Sequence, residues 1–199
     1  AGVDAVLVRT PSFFKPQMTT DAFVQHYTDV AEASPVPVLL YNVTMFTGVS
    51  LAPEAVERLG VHPNIAGMKD SGGDIGLLSE FIHRTPDDFA VLSGSAATLV
   101  HALAAGCDGA VLALAAIVPD ACVQMRTLLD EGRLAEARAL QRRLMPLARS
   151  IGSGHGVPGL KAALELMGFA CGRPRPPLRP VTPQVVELIR GQLVACAAI

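Results

Sequence analysis

The chain has 199 residues, of which 50% are apolar and 17% charged, with a formal net charge of -2. It is too apolar and too weakly charged for a disordered chain, and no uninterrupted apolar run reaches the ~18 residues of a membrane-spanning helix. Acids outnumber bases 18 to 16 and only three bases are lysines, so no nucleic-acid surface is expected.

Short runs rich in Val, Ile and Leu alternate with segments of helical period. The first strand is expected at 5–9. A helix follows at 20–33, with Thr20 or Asp21 as its cap. The second strand, 36–42, leads to a helix at 53–59, where Pro53 opens the first turn and Glu54 suits the dipole. The third strand, 65–69, precedes a helix at 74–84 capped by Asp74. The fourth, 89–93, precedes a helix at 96–105, which Gly106 should end. The fifth covers 109–114. Val6, Val38, Ile65, Val91 and Val111 mark the strands at intervals of 20 to 32 residues, the size of a βα repeat. Strands apolar on both faces predict a parallel sheet covered by helices. The rest is helical, with helices at 130–151, 156–167 and 183–198 and a proline-rich connector from Cys171 to Pro183. Gly152-Ser153-Gly154-His155-Gly156 lacks the Gly-Lys-Ser/Thr ending of a phosphate loop and reads as a hinge. The arginine-rich helix reads as a solvated or subunit-facing surface.

The fold class is α/β. The first strand ends Arg-Thr-Pro-Ser-Phe-Phe rather than in a glycine-rich turn, which favours a (β/α) barrel over a doubly wound nucleotide fold. In a barrel the chemistry lies at strand C-terminal ends, and Lys69 is there. Burial at that mouth disfavours the ammonium form and leaves an amine able to attack a carbonyl. The competing reading is a lysine snorkelling to water. Tyr41, ending the second strand, is either a proton relay or a core aromatic whose hydroxyl reaches the rim. Ser71-Gly72-Gly73 and Ser93-Gly94-Ser95 follow two strands and would let a ligand approach the backbone. Cys107, Cys122, Cys171 and Cys196 lie far apart and read as reduced core thiols of a cytoplasmic protein. His26, His62, His83, His101 and His155 share no ligand spacing, so no metal is expected.

The chain carries four strings: Val-Arg-Thr-Pro-Ser-Phe-Phe-Lys-Pro, Leu-Leu-Tyr-Asn-Val-Thr-Met-Phe-Thr-Gly, Ile-Ala-Gly-Met-Lys-Asp-Ser-Gly-Gly-Asp and Val-Leu-Ser-Gly-Ser. In order and spacing they resemble the dihydrodipicolinate synthase/N-acetylneuraminate lyase family of class I (Schiff-base) aldolases on a TIM barrel. The helical tail with Val-Pro-Gly-Leu-Lys fits as well. The resemblance implies that Lys69 is the Schiff-base lysine and Tyr41 the proton-transfer tyrosine. Ser71, Gly94 and Val111 would line the pyruvate pocket, and Phe46 the second-substrate region. It also implies a 2-oxo acid substrate, a homotetramer and no cofactor. The cytoplasm is the expected compartment, or the mitochondrion if the source is eukaryotic.

The resemblance has departures. The family opens with three further βα units carrying a Gly-Thr-Thr-Gly-Glu loop, and nothing here matches them. At ~30 residues per unit, roughly 90 residues of an eight-strand barrel are unmatched. The expected architecture is therefore barrel strands four to eight at 1–128, then a helical extension at 129–199, as a fragment inactive alone. Phe46 stands where synthases using aspartate semialdehyde carry an arginine, and Phe13 where the family often has a tyrosine crossing the subunit interface. Both changes count against dihydrodipicolinate synthase, and Gly-Met-Lys-Asp-Ser-Gly-Gly-Asp with the lost arginine resembles the 4-hydroxy-2-oxoglutarate aldolase branch. Dihydrodipicolinate synthase itself is the alternative, and an inactive subunit or a 2-oxo-acid binding module are rivals of another class.

Overall fold

The structure, a computed structural model, describes residues 2–199. These form two compact units, one ending at Val111 and the other running Leu112–Ile199.

The first unit is an α/β layer. Strands β1 (Val6–Arg9), β2 (Val38–Asn42), β3 (Ile65–Asp70), β4 (Ala90–Ser93) and β5 (Gly109–Ala110) pair in parallel, in the order β1-β2-β3-β4-β5. A doubly wound sheet reverses its strand order at a switch point; this order has no reversal. Helices α1 (Thr20–Ala33), α2 (Thr44–Thr47), α3 (Pro53–Gly60), α4 (Ile75–Arg84) and α5 (Leu99–Ala104) lie between the strands in sequence. Strand β5 is shorter than the sequence suggests. The Val111 N–H still bonds the Ser93 carbonyl at 2.9 Å, and the chain then turns into a 3-10 helix at Leu114–Ala116. Past Val111 the run is leucine and alanine, which do not favour extended backbone.

Helix α1 starts at Thr20 as expected, but its cap is Thr19, one residue before the expected candidates. Thr19 is extended, and its side chain accepts the Ala22 N–H at 3.3 Å. The helix buries Phe23, Tyr27 and Ala31, a stripe at four-residue spacing. Asp74 caps α4 as expected, accepting the Leu77 N–H at 3.0 Å. The short α2 was not anticipated. It ends on Gly48 at φ 66, in the left-handed region that glycine tolerates.

Buried Phe23, Tyr27, Leu40, Met68, Phe81 and Val91 belong to one apolar core, and Val6 and Val8 pack against it. This core lies on the helix-covered face of the sheet. Side chains alternate along a strand, so Leu7, Arg9, Leu39 and Tyr41 point to the opposite face. In β3 the alternation is reset. Val38 pairs with Ile65 but Leu39 pairs with Gly67, so Ala66 is an extra residue. Such a bulge re-aims the side chains beyond it. Ile65 and Met68 both reach the helix-side core, while Lys69 emerges beside Tyr41 on the other face.

The second unit contains α6 (Pro119–Asp130), α7 (Leu134–Arg149), α8 (Gly156–Leu166) and α9 (Pro183–Ala195). Helix α6 was not anticipated, and the helix expected at 130–151 begins only at Leu134. Between them Gly132 has φ +74, which ends α6 at no steric cost. Pro146 lies inside α7, and the chain passes through a π turn, Ser150–Gly154, before α8. That turn occupies the expected hinge. The Lys161 ammonium donates to the Cys171 carbonyl at 2.6 Å and so ties the proline-rich connector to α8.

Candidate active site

The C-terminal ends of β2, β3 and β4 bring together the two residues that the sequence marks most clearly. The register pairs Tyr41 with Lys69 and Lys69 with Leu92. The Lys69 Nζ donates to the Tyr41 hydroxyl at 3.4 Å and lies 4.4 Å from the centre of its ring. Both side chains are half-buried.

Ser71 and Gly94 close in from the β4 side. The Gly94 N–H bonds the Asp70 carbonyl at 2.6 Å, and the Ser71 N–H bonds the Asn42 carbonyl at 2.9 Å. A Cβ on Gly94 would collide with the Ser71 hydroxyl and come within 2.8 Å of the Lys69 Cε. Glycine is therefore required where the loop passes the lysine. Val111 sits one strand further on, half exposed at the end of β5. Phe46 is not gathered in: it is 75% exposed on α2, as is Met45 beside it at 63%. Phe13 is 89% exposed and stacks edge-on with Phe14, their ring centres 5.0 Å apart.

A row of buried polar groups, not anticipated from the sequence, underlies the site on the helix side. Thr10, Asn42, Asp70 and Ser93 are all at most 2% exposed. The Asn42 side-chain amide donates to the Asp70 carboxylate at 2.7 Å, and the Gly72 N–H donates to its other oxygen at 3.1 Å. The Asn42 side-chain oxygen accepts the Leu51 N–H at 3.1 Å. Burial pushes the Asp70 carboxyl above its ordinary value; the bonds from Asn42, Gly72 and Gly73 oppose the shift, and the Asp74 charge adds to it. Asp70 and Asn42 each directly follow a candidate catalytic residue, so this pair fixes the strand ends that carry Lys69 and Tyr41.

The four cysteines are free, and burial pushes the Cys107 and Cys122 thiols up to about 11. No cluster of three His, Cys, Asp or Glu suited to a metal occurs among the described residues. No helix among them is long and apolar enough to cross a membrane.

A sequence model of the Dihydrodipicolinate synthetase family matches residues 1–194. The chain belongs to that family. It is 36% identical over 193 residues to the 4-hydroxy-tetrahydrodipicolinate synthase of Methanopyrus kandleri, covering 96% of this chain and 64% of that protein. It is 34% identical to the synthase of Archaeoglobus fulgidus, covering 97% and 66%. The chain thus spans just under two thirds of the length of these curated relatives. Among solved structures, dihydrodipicolinate synthase from Thermotoga maritima superposes with a TM-score of 0.93 at 32% identity, over 100% of this chain and 68% of that one. The chloride-inhibited enzyme from Acinetobacter baumannii, complexed with pyruvate, does so at 0.92 and 32%, over 100% and 67%. These relatives carry the synthase name, not that of the 4-hydroxy-2-oxoglutarate aldolases the motifs resemble.

Proposed function

We propose that this chain carries the Schiff-base centre of a pyruvate-dependent carbon–carbon lyase, on an arc corresponding to strands four to eight of a (β/α) barrel. The observation behind this is the Lys69–Tyr41 pair at 3.4 Å on the uncovered face of the sheet. The unreversed strand order supports the barrel arc, and the pyruvate complex of a relative supports the substrate class.

The neutral Lys69 amine adds to the ketone carbon of a 2-oxo acid, and the carbinolamine hydroxyl takes the Tyr41 phenol proton and leaves as water, giving an iminium and an ionised Tyr41 oxygen. In the cleavage direction, the C3–C4 electron pair of a 4-hydroxy-2-oxo acid flows to that nitrogen. The 4-hydroxyl gives its proton to the ionised Tyr41 oxygen and becomes the carbonyl of the departing aldehyde. The remaining enamine takes that proton back from Tyr41 at C3, and water hydrolyses the iminium, returning a proton to Tyr41 and releasing pyruvate and free Lys69. Condensation is the reverse. The Tyr41 ring face that lies 4.4 Å from the Lys69 Nζ also meets the iminium, a cation at the same point. Ser71 and the backbone at Gly94 flank the lysine on the side where the acid's C1 carboxylate would lie.

The curated relatives favour the synthase reading, condensation of pyruvate with an aldehyde-bearing second substrate. Phe46 favours cleavage of a 4-hydroxy-2-oxo acid instead, because a phenyl ring supplies no charge for a second substrate's carboxylate.

The test is borohydride reduction of the protein with pyruvate, followed by peptide mass mapping. A reduced pyruvyl adduct on Lys69 is expected, and none in Lys69→Arg. An adduct on Lys15 or Lys161 alone, or none at all, rejects the proposal.

A further inference from the structure

One cation on the catalytic face has no role in the mechanism above. Strand β1 pairs Arg9 directly with Tyr41, and Tyr41 pairs with Lys69. Val6 and Val8 pack against the helix-side core, so strand alternation turns Arg9 to the face that carries Tyr41 and Lys69. Arg9 is exposed there, and it has no ion pair or side-chain hydrogen bond among the described residues. The nearby loop cation, Lys15, lies against Gly48 at the end of α2 instead. Helix α2, Thr-Met-Phe-Thr, carries no charge.

We infer that Arg9 is a specificity-determining residue: its guanidinium takes the distal carboxylate of a dicarboxylic 2-oxo acid whose ketone faces Lys69. The inference rests on the Schiff-base reading above. Across the sheet the order is Arg9 on β1, Tyr41 on β2, Lys69 on β3, and then the Ser71–Gly94 turn toward β4. A substrate held at C2 by Lys69, with its C1 carboxylate toward Ser71 and Gly94, extends its remaining carbons past Tyr41 toward β1. Two strand spacings are roughly 10 Å, a gap that a five-carbon acid and an extended guanidino side chain bridge together. The guanidinium fork matches a carboxylate with two parallel hydrogen bonds. A free arginine in this row disfavours substrates with an apolar tail, because they leave it without a partner while they displace its water.

The test is competitive trapping on Lys69 with 2-oxoglutarate and 2-oxopentanoate, which have the same chain length and differ in the distal carboxylate; pyruvate serves as the reference. Borohydride adducts are quantified by mass spectrometry. Wild-type protein is expected to favour 2-oxoglutarate at least tenfold, with the preference shrinking as salt is raised. Arg9→Ala is expected to bring the ratio toward one, and Arg9→Lys to keep part of it. A pyruvate adduct with no preference for 2-oxoglutarate in wild type overturns this inference alone, as does an undiminished preference in Arg9→Ala. Absence of any adduct, pyruvate included, overturns the Schiff-base reading and this inference with it.

Discussion

At the scale of single residues, the carboxyl beneath the lysine has a measurable signature. Asp70 is 2% exposed and holds its proton more tightly in the folded chain than at the ordinary value of 3.8. A carboxyl raised on folding contributes its full stabilisation below the unfolded value and loses it as the pH climbs through the folded one. Asp70→Asn removes that titration. It also turns an amide donor toward the Gly72 N–H if the bond to Asn42 is kept, a loss of about 1 kcal/mol. Urea unfolding of both proteins between about pH 3.5 and pH 7 is therefore expected to give a wild-type advantage that narrows as the pH rises. An advantage that stays level across that range, or widens, is incompatible with a carboxyl raised by burial.

At the scale of elements, the bulge in β3 decides which way Lys69 points. Ile65, Gly67 and Lys69 would share one face in a regular strand, leaving the amine among the helices with Ile65. Deleting Ala66 leaves Ile65, Gly67, Met68 and Lys69 in regular alternation opposite Val38, Leu39, Leu40 and Tyr41, so Lys69 keeps its face. The deletion variant is therefore expected to keep the trapped pyruvate adduct, as is Ala66→Val at the same exposed position. Circular dichroism then shows whether the sheet persists, and loss of the adduct from a deletion variant that keeps its sheet rejects Ala66 as the extra residue. This is also where sequence reading stops. Lys69 and Tyr41 are legible because rare residue types fall at the ends of apolar runs, and α1 is legible because Phe23, Tyr27 and Ala31 repeat at helical spacing. The bulge is not legible, since an extra residue shows only against a paired neighbour. The Asn42–Asp70 bond and the alignment of Arg9 with Tyr41 depend on register in the same way. Helix α6 escaped because it buries only Met125 and Leu128, too thin a stripe to read. The helix expected at 130–151 begins only at Leu134, because Gly132 is a stop only once its backbone turns left-handed.

At the scale of the whole molecule, the two units hold themselves together by different means. In the second, α6 packs on α7, α7 on α9 and α8 on α9, and Met125, Leu128, Leu140, Leu144, Leu147, Ile189 and Leu193 are buried. Its ion pairs, Arg126–Asp130, Arg133–Glu131, Arg133–Glu136 and Arg190–Glu187, are local and largely exposed, so they contribute little. Apolar helix packing carries this unit, and its backbone bonds are mostly internal to the helices. The first unit ends in β1 and β5, whose outer backbone groups no described strand pairs, and Leu7 is 42% exposed on the uncovered face. Unpaired edges and a bare apolar sheet face promote self-association. Expressed separately, residues 112–199 are expected to give a helical spectrum and a cooperative, nearly salt-independent melt. Residues 1–111 are expected to form strand-rich aggregates that grow with concentration in light scattering. A coil-like spectrum for 112–199 means that its helices need the sheet unit to form, and a monomeric, soluble 1–111 means that the sheet's edges and open face are protected within that unit.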